Sequence, residues 1–399
     1  MMAAIRAAEL GQEVILIEKK SLPGRKLLLS GKGRCNLTNA ADFDQFRKRF
    51  FHGEDFLRDA FRKFFNRDLM EFFEKRGLAL KTERQERVFP VSDSAASILQ
   101  VLTKELKKSG VKLILESTVK NIIVEGNEAI GVVLNNNNEI YAPRVILATG
   151  GASYAFTGST GEGMKFAREL GHKIIALRPG LVPVEVKEKF VSSLVGLSLK
   201  NIRLRFYFGK KEIISEIGEL MFTRCGISGP LVLSLSSKIV DWLAENKEVF
   251  VEIDLKPGLS STQLDARILR EFKLSPRKSV KNVLRTLLPL NLISVFLKVA
   301  KIDGEKQANQ VKQEERSLIV RLLKAFRLEI SRTLPIEEAM VTIGGVSLKD
   351  INPRTMESRI VRGLYFAGEI MDIDADTGGF NLQAAFSTGY LAGESAALN

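Results

Sequence analysis

Residues 363–393 constrain this chain more than any other stretch. Residues 364–367 are a short apolar run that reads as a buried strand, and Gly368 ends it. Gly378 and Gly379 then open a run that is helical in character through Gln383, Ala384, Ala385 and Leu391. A strand, a glycine-lined loop and a helix N-terminus leave unpaired N–H groups and the positive end of a helix dipole facing one point. That is a place for a ligand carrying negative charge.

A chain of 399 residues exceeds a single simple core and implies two or three domains. At 45% hydrophobic and 27% charged its composition is that of a globular protein, and no stretch approaches the roughly 20 apolar residues that span a bilayer. The reading is therefore no membrane association and no opening signal peptide. Two cysteines, Cys35 and Cys225, exclude a disulfide framework and most cysteine metal sites, and two histidines, His52 and His172, exclude a histidine-rich centre, so no metal is expected. The expected compartment is a reducing cytoplasm.

Residues 1–10 are an alanine-rich helical run stopped by Gly11, and residues 13–17 form a Val/Ile strand ending in Glu18. An acid at the end of the second strand of a dinucleotide fold accepts hydrogen bonds from ribose hydroxyls. The sequence thus opens inside a βαβ unit, whose first strand and Gly-x-Gly-x-x-Gly loop are expected just before Met1. An unrelated helix followed by a strand is the plainer alternative. Residues 24–39 hold three glycines, two hydroxyl side chains and four cations, the make-up of a phosphate- and flavin-contacting loop. Residues 145–151 repeat the strand-into-paired-glycines pattern, and residues 162–170 read as a helix closed by Gly171. One such element is weak evidence; three, near 18, 150 and 368, indicate a dinucleotide fold.

Residues 174–254 alternate as strands do, and residues 258–333 are mostly helical in period, basic outside and apolar inside. The expected fold class is α/β: a dinucleotide-binding fold, N-terminally truncated, interrupted by a small β domain and a helical stretch. The expected domains are 1–173 and 336–399 for the dinucleotide-binding part, 174–256 for the β insert and 257–335 for the helical insert.

Five blocks carry a resemblance: Ser30-Gly-Lys-Gly-Arg-Cys-Asn-Leu-Thr-Asn39, Ala148-Thr-Gly-Gly-Ala-Ser-Tyr154, Phe222-Thr-Arg-Cys-Gly-Ile-Ser-Gly-Pro230, Val341-Thr-Ile-Gly-Gly-Val-Ser347 and Gly378-Gly-Phe-Asn-Leu-Gln383. Across nearly its whole length the chain resembles the bacterial NAD(P)/FAD-dependent oxidoreductases of the aminoacetone oxidase family, the HI0933-like or BaiN/YhiN flavoproteins. The resemblance implies a Rossmann-like FAD-binding domain (1–173 and 336–399) of the two-dinucleotide-binding type with β-barrel-like (174–256) and helical (257–335) inserts, FAD as cofactor and NADH or NADPH as transient reductant. It implies Glu18 as ribose ligand, with Arg25, Lys26, Gly31, Gly33 and Asn36 around the flavin and Thr149, Gly150 and Gly151 on the adenosine side. Gly368, Glu369, Gly378, Gly379, Phe380 and Asn381 fall by the ribityl chain and ring. The activities it implies are reduction of a C=C bond conjugated to a carbonyl in steroids, and of uridine to dihydrouridine in ribosomal RNA.

Both need hydride from the flavin, donors for the developing oxyanion and a protein acid. The catalytic candidates are Cys35, Arg34 and Tyr154. Cys35 lies in a cationic, glycine-rich loop that would lower its pKa, against the plainer reading that it packs by the flavin. Arg34 would bind a substrate carbonyl or phosphate, or only salt-bridge within the fold. His172 reads as structural, His52 as a linker residue without a partner, and Cys225 as a packing residue. The phenylalanine-rich residues 43–73 read as core rather than as a base-stacking groove. The net charge of +13, with a cluster at Arg267–Arg285, favours a polyanion, so the preferred substrate is ribosomal RNA uridine. A small enone, steroid or amine is the alternative, and a flavin-free RNA-binding protein is the alternative of another class. Oligomeric state is not legible.

Overall fold

The computed structural model describes residues 1–245 and 247–399. The chain divides into two compact units, one made of residues 1–180 and 335–399 and the other of residues 181–334.

In the first unit the apolar runs between glycines become parallel strand pairs. Ile15–Ile17 lies beside Lys112–Ile114, and Val145–Leu147 beside Leu364–Phe366. An antiparallel pair joins Ile174–Gly180 to Val341–Val346, and Val119–Glu125, Glu128–Leu134 and Glu139–Tyr141 form a meander. The Phe380–Leu398 helix is buried on most sides, as its near-continuous apolar and small residues require. The Met2–Glu9 helix approaches it at Gly389 and Gly393; a Cβ on Gly393 would lie 2.3 Å from the Ala3 carbonyl oxygen. Beside this crossing Arg6 Nε donates to Glu394 at 3.0 Å, and Lys63 also pairs with it. Burial works against a charged Glu394, yet these two cations hold its carboxyl below the usual carboxylate range.

The phenylalanine-rich segment is core. Phe46, Phe50, Phe61, Phe64, Phe72 and Phe73 are all buried, and the Phe46 ring meets Phe65 at 5.0 Å and Phe380 at 4.7 Å, both edge-on. The segment folds as three short helices, Phe43–Arg47, Arg58–Lys63 and Asn66–Glu74, with the strand Phe50–His52 after the first.

The second unit is built on a closed barrel. Ser198–Phe208, Gly218–Phe222, Gly226–Ser228, Val184–Val186, Phe326–Thr333 and Val249–Asp254 pair antiparallel in that order, and the last pairs back onto the first. Lys211–Ile214 adds to Ser198–Phe208 alone. Leu204, Phe206, Val251, Ile253, Phe326 and Leu328 alternate inward and are buried. The helices Ser261–Leu274, Leu290–Ala300 and Gln313–Lys324 share one apolar cluster with the barrel.

Two elements depart from the sequence reading. Pro230–Ala244, inside the stretch read as β, is a helix; Pro230 at its first turn, after Gly229 at φ 98°, is the start signal. Phe326–Thr333, inside the stretch read as helical, is a strand whose Phe326, Leu328 and Ile330 alternate with more exposed neighbours. Among the described residues no helix is long and apolar enough to cross a membrane.

Candidate functional site

The first unit gathers most of the expected site residues around the ends of its strands. Glu18 continues Ile15–Ile17, its N–H donating to the Ile114 carbonyl at 2.9 Å, while its Oε1 accepts from the Lys20 N–H at 2.9 Å. Lys19 Nζ reaches across to Thr160 Oγ1 at 2.7 Å and Glu162 at 2.8 Å. A Cβ on Gly158 would sit 3.5 Å from Lys19 and 3.7 Å from Glu18 Oε1, so the second glycine turn lies against the acid that ends the strand. Ala148 and Thr149, at the carboxyl end of Val145–Leu147, are exposed, the strand end at which ligands bind in α/β folds.

Next to this turn lies a hydrogen-bonded network drawn from four segments. Lys26 Nζ contacts Glu369 Oε2 at 2.5 Å and Ser153 Oγ at 2.7 Å. The other Glu369 oxygen accepts from the Thr342 N–H at 2.8 Å and from Ser153 Oγ at 3.3 Å. Thr342 Oγ1 in turn accepts from the Ala152 and Ser153 N–H groups at 2.8 and 3.2 Å. Gly151 closes the network: a Cβ there would lie 2.2 Å from Thr342 Oγ1 and 3.0 Å from Glu369 Oε1. Only glycine leaves room for both.

The loop around residues 30–36 is held in left-handed backbone at Gly31, Lys32, Gly33 and Cys35. A Cβ on Gly31 would lie 2.6 Å from the Asn36 nitrogen. With its amide oriented to satisfy both partners, Asn36 donates to the Thr38 carbonyl at 3.1 Å and accepts from the Gly379 N–H at 3.2 Å. Gly379, at φ 98°, precedes the Phe380–Leu398 helix, which has no side-chain cap, so the N–H groups of residues 380–382 lack intrahelical acceptors. Asn381 faces the preceding loop instead, exchanging hydrogen bonds with Ala375 at 2.8 and 3.0 Å. The Gly368 N–H donates to Thr388 Oγ1 at 3.0 Å, while Phe380 points into the phenylalanine core. Arg25 and Lys32 form no ion pair among the described residues.

The three catalytic candidates differ sharply in surroundings. Cys35 is fully buried, and burial pushes its thiol up to about 11 despite a hydrogen bond with Ser30. This is opposite to the lowering that the cationic loop implies, because desolvation outweighs distant charge. Arg34 is committed: its Nε donates to Asp93 at 2.8 Å, Glu83 pairs with it as well, and its guanidinium lies 4.1 Å above the Phe89 ring. Tyr154 is half-buried at φ 53°, its phenol pushed up by burial and then by Glu338.

Sequence reasoning missed three groups. Thr342, a fully buried hydroxyl in an apolar strand, was a signal in plain view. Gln383 is also buried, accepting from Thr38 Oγ1 at 2.6 Å. His52 has a partner after all, with Nδ1 2.5 Å from the buried Asp374 carboxylate. The strand Phe50–His52 pairs with Asp374–Ala375, and no local pattern announces so distant a contact. His172 is the structural histidine expected, bonded to the Ala167 carbonyl at 3.0 Å and Ser358 at 2.7 Å. Cys225, read as a packing residue, is exposed.

Residues 1–395 match the family described as HI0933-like protein Rossmann domain. The chain belongs to this family. Its curated relatives include the 3-dehydro-bile acid delta(4,6)-reductase of Clostridium scindens, 34% identical over 100% of this chain and 96% of that protein. They also include the ribosomal RNA dihydrouridine synthases of Haemophilus influenzae, 31% identical over 98% of this chain and 94% of that one, and of Escherichia coli, 30% identical over 98% and 93%. With the family comes the class: the chain is an oxidoreductase of the flavoprotein type. A 3-ketosteroid delta1-dehydrogenase from Sterolibacterium denitrificans superposes with a TM-score of 0.52 at 12% identity, over 99% of this chain and 97% of that one. A quinol-fumarate reductase superposes at 0.51 and 17%, over 99% and 68%. At such identities the likeness speaks for the fold alone.

Proposed function

We propose that this HI0933-like chain binds FAD in its first unit and uses it to reduce a carbon–carbon double bond conjugated to a carbonyl. The observation that carries the reading is the uncapped start of the Phe380–Leu398 helix, set behind Gly379 and fastened to the 30–36 loop through Asn36. Free N–H groups there suit a flavin's pyrimidine edge, which gains negative charge on reduction. Glu18 would accept from ribose hydroxyls, with the Gly158 turn beside it. Glu369, fixed by Lys26, Ser153 and Thr342, would hold the polar chain between the two ends. When bound, FAD supplies the two-electron reduction, with NADH or NADPH as the donor.

The chain's own part is to orient the substrate, exclude water and deliver one proton. Tyr154 suits the last task better than Cys35. Both side chains keep their proton at neutral pH, but Tyr154 is half-exposed whereas Cys35 has no exposed surface. Arg34, tied to Asp93 and Glu83, is better read as shaping the 30–36 loop.

The substrate we infer is uridine within ribosomal RNA, in the cytoplasm. A net charge of +13 favours a polyanion, and the ribosomal RNA dihydrouridine synthases among the relatives support it. A steroid-like enone is the second reading, favoured by the bile-acid reductase at 34% identity over the whole chain. The test incubates FAD-loaded chain and NADPH with unmodified ribosomal RNA, or with a 3-keto-Δ4 steroid, and measures dihydrouridine or the saturated ketone by mass spectrometry. Dihydrouridine supports the first reading and saturated ketone the second; a chain that holds no FAD sinks both.

A further inference from the structure

The second unit carries a basic surface that the oxidoreductase site does not explain. Between Arg270 and Lys306 the sequence has nine lysines and arginines against three carboxylates. Arg270, Lys273, Arg277 and Lys278 are exposed and form no ion pair among the described residues. The segment that carries Arg277 and Lys278 is stitched to residues 304–309. The Ala308 N–H donates to the Lys278 carbonyl at 2.9 Å, and the Lys281 N–H to the Gly304 carbonyl at 3.1 Å. This lays the first cations beside the mouth of a cleft of about 580 Å³.

The cleft has two kinds of wall. Leu290, Ile293, Leu297 and Ile302 give it an apolar floor; Arg285, Lys298 and Lys301 stand around it, exposed and without ion pairs among the described residues. Lys281 is neutralised by Glu305, and Asp303 is the one acid lining the cleft. Leu290, 62% exposed, is the apolar residue that the cleft presents to solvent among these cations. Several unpaired cations around one cleft suit a chain of phosphates rather than a single anion. Leu290, exposed between them over the buried Ile293, Leu297 and Ile302, suits the face of an unstacked base.

We propose that this cleft and the Arg270–Lys278 ridge bind single-stranded RNA, with phosphates on the cations and a base against Leu290. The proposal rests on the RNA reading above and assigns that partner a surface. It is a docking site, separate from the residues that hold the flavin.

The experiment measures binding of the full, FAD-loaded chain to protein-free ribosomal RNA across a salt series, for the parent and for the triple variant Arg285→Ala, Lys298→Ala, Lys301→Ala. All three positions are exposed, so flavin absorbance and unfolding midpoint should match the parent, which checks the fold. Each phosphate contact contributes about 0.7–0.9 to the slope of log affinity against log salt. Three lost contacts lower the slope by roughly 2.5. Over a fourfold rise in salt, the parent should then lose roughly thirtyfold more affinity than the variant. An unchanged slope with unchanged affinity overturns the surface, and if the parent still makes dihydrouridine, the uridine reading survives it. A parent that binds no RNA overturns both. A shifted slope with no dihydrouridine formed supports the surface and removes only the uridine chemistry. A short duplex bound as tightly as a single strand of equal length overturns the placement of a base on Leu290.

Discussion

Two glycines on the Phe380–Leu398 helix should respond with opposite signs to the same substitution. In a helix, Gly→Ala by itself gains about 1 kcal/mol, because alanine surrenders less backbone entropy on folding. At Gly389 the new Cβ would meet Met2 Cβ at 3.5 Å and the Ala3 nitrogen at 3.6 Å, ordinary contact distances. Gly389→Ala should therefore stabilise the first unit by up to about 1 kcal/mol. At Gly393 the Cβ would lie 2.3 Å from the Ala3 oxygen and 2.9 Å from its carbonyl carbon. Both are backbone atoms of a packed helix and cannot rotate aside. Overpacking of this kind costs about 1–3 kcal/mol or more, so the clash wins and Gly393→Ala should destabilise by about 2 kcal/mol net. With a urea dependence near 3 kcal/mol/M, the midpoint should fall by about 0.7 M. The assay is urea unfolding followed by far-ultraviolet circular dichroism. Trp242, the single tryptophan, lies in the second unit, and its fluorescence transition should not move. If Gly393→Ala is as stable as the parent, or both variants shift the same way, the close helix crossing is wrong.

Three further outcomes test the site and its surroundings. A neutral thiol reagent should modify one cysteine, the exposed Cys225, in the native chain and two in denaturant; rapid native modification of Cys35 would contradict its burial. Lys26→Met leaves Glu369 only the Thr342 N–H and Ser153, which should weaken FAD binding by about tenfold or more, with partial recovery in the Lys26→Met, Glu369→Gln pair; equal affinity in all three would refute the network. The hydrogen bond that His52 Nδ1 donates to the Asp374 carboxylate raises the His52 pKa above its ordinary 6.5 although burial opposes it. Its contribution is therefore complete below about 6.5 and lost as pH rises through the raised folded value, and His52→Ala should flatten that part of the urea-midpoint profile. An unchanged profile would refute the pairing.

Much of the fold was legible because its signals are local. The strands that run into Gly150, Gly344 and Gly368 are written within a few residues, as is Glu18 after its strand. The helix Glu162–Glu169 and its Gly171 stop likewise follow from period and cap. What stayed hidden depends on partners far apart in sequence. Lys26 meets Glu369, and His52 meets Asp374, each across more than 300 residues. The Cys35 pKa was misjudged for a related reason: the loop's charges are visible in the sequence, while the core that desolvates the thiol is not. Pro230–Ala244 escaped because its Leu, Val and Ser residues satisfy a strand reading nearly as well as a helical one.

The closed barrel of the second unit also dictates a timetable. Its sixth stave, Phe326–Thr333, is made only after the helical residues 261–324 have followed Val249–Asp254 off the ribosome, and it must enter between two strands already synthesised. Until then Val249–Asp254 and Val184–Val186 each keep an open hydrogen-bonding edge, the condition under which nascent β-proteins cross-pair. The helices that separate the staves are rich in local contacts and form early, so they can shield those edges while the ring waits. The first unit waits longer still, since Leu364–Phe366 and the buried Phe380–Leu398 helix emerge last. Synthesis order thus makes the barrel the first part of this enzyme able to close, and the first unit the last.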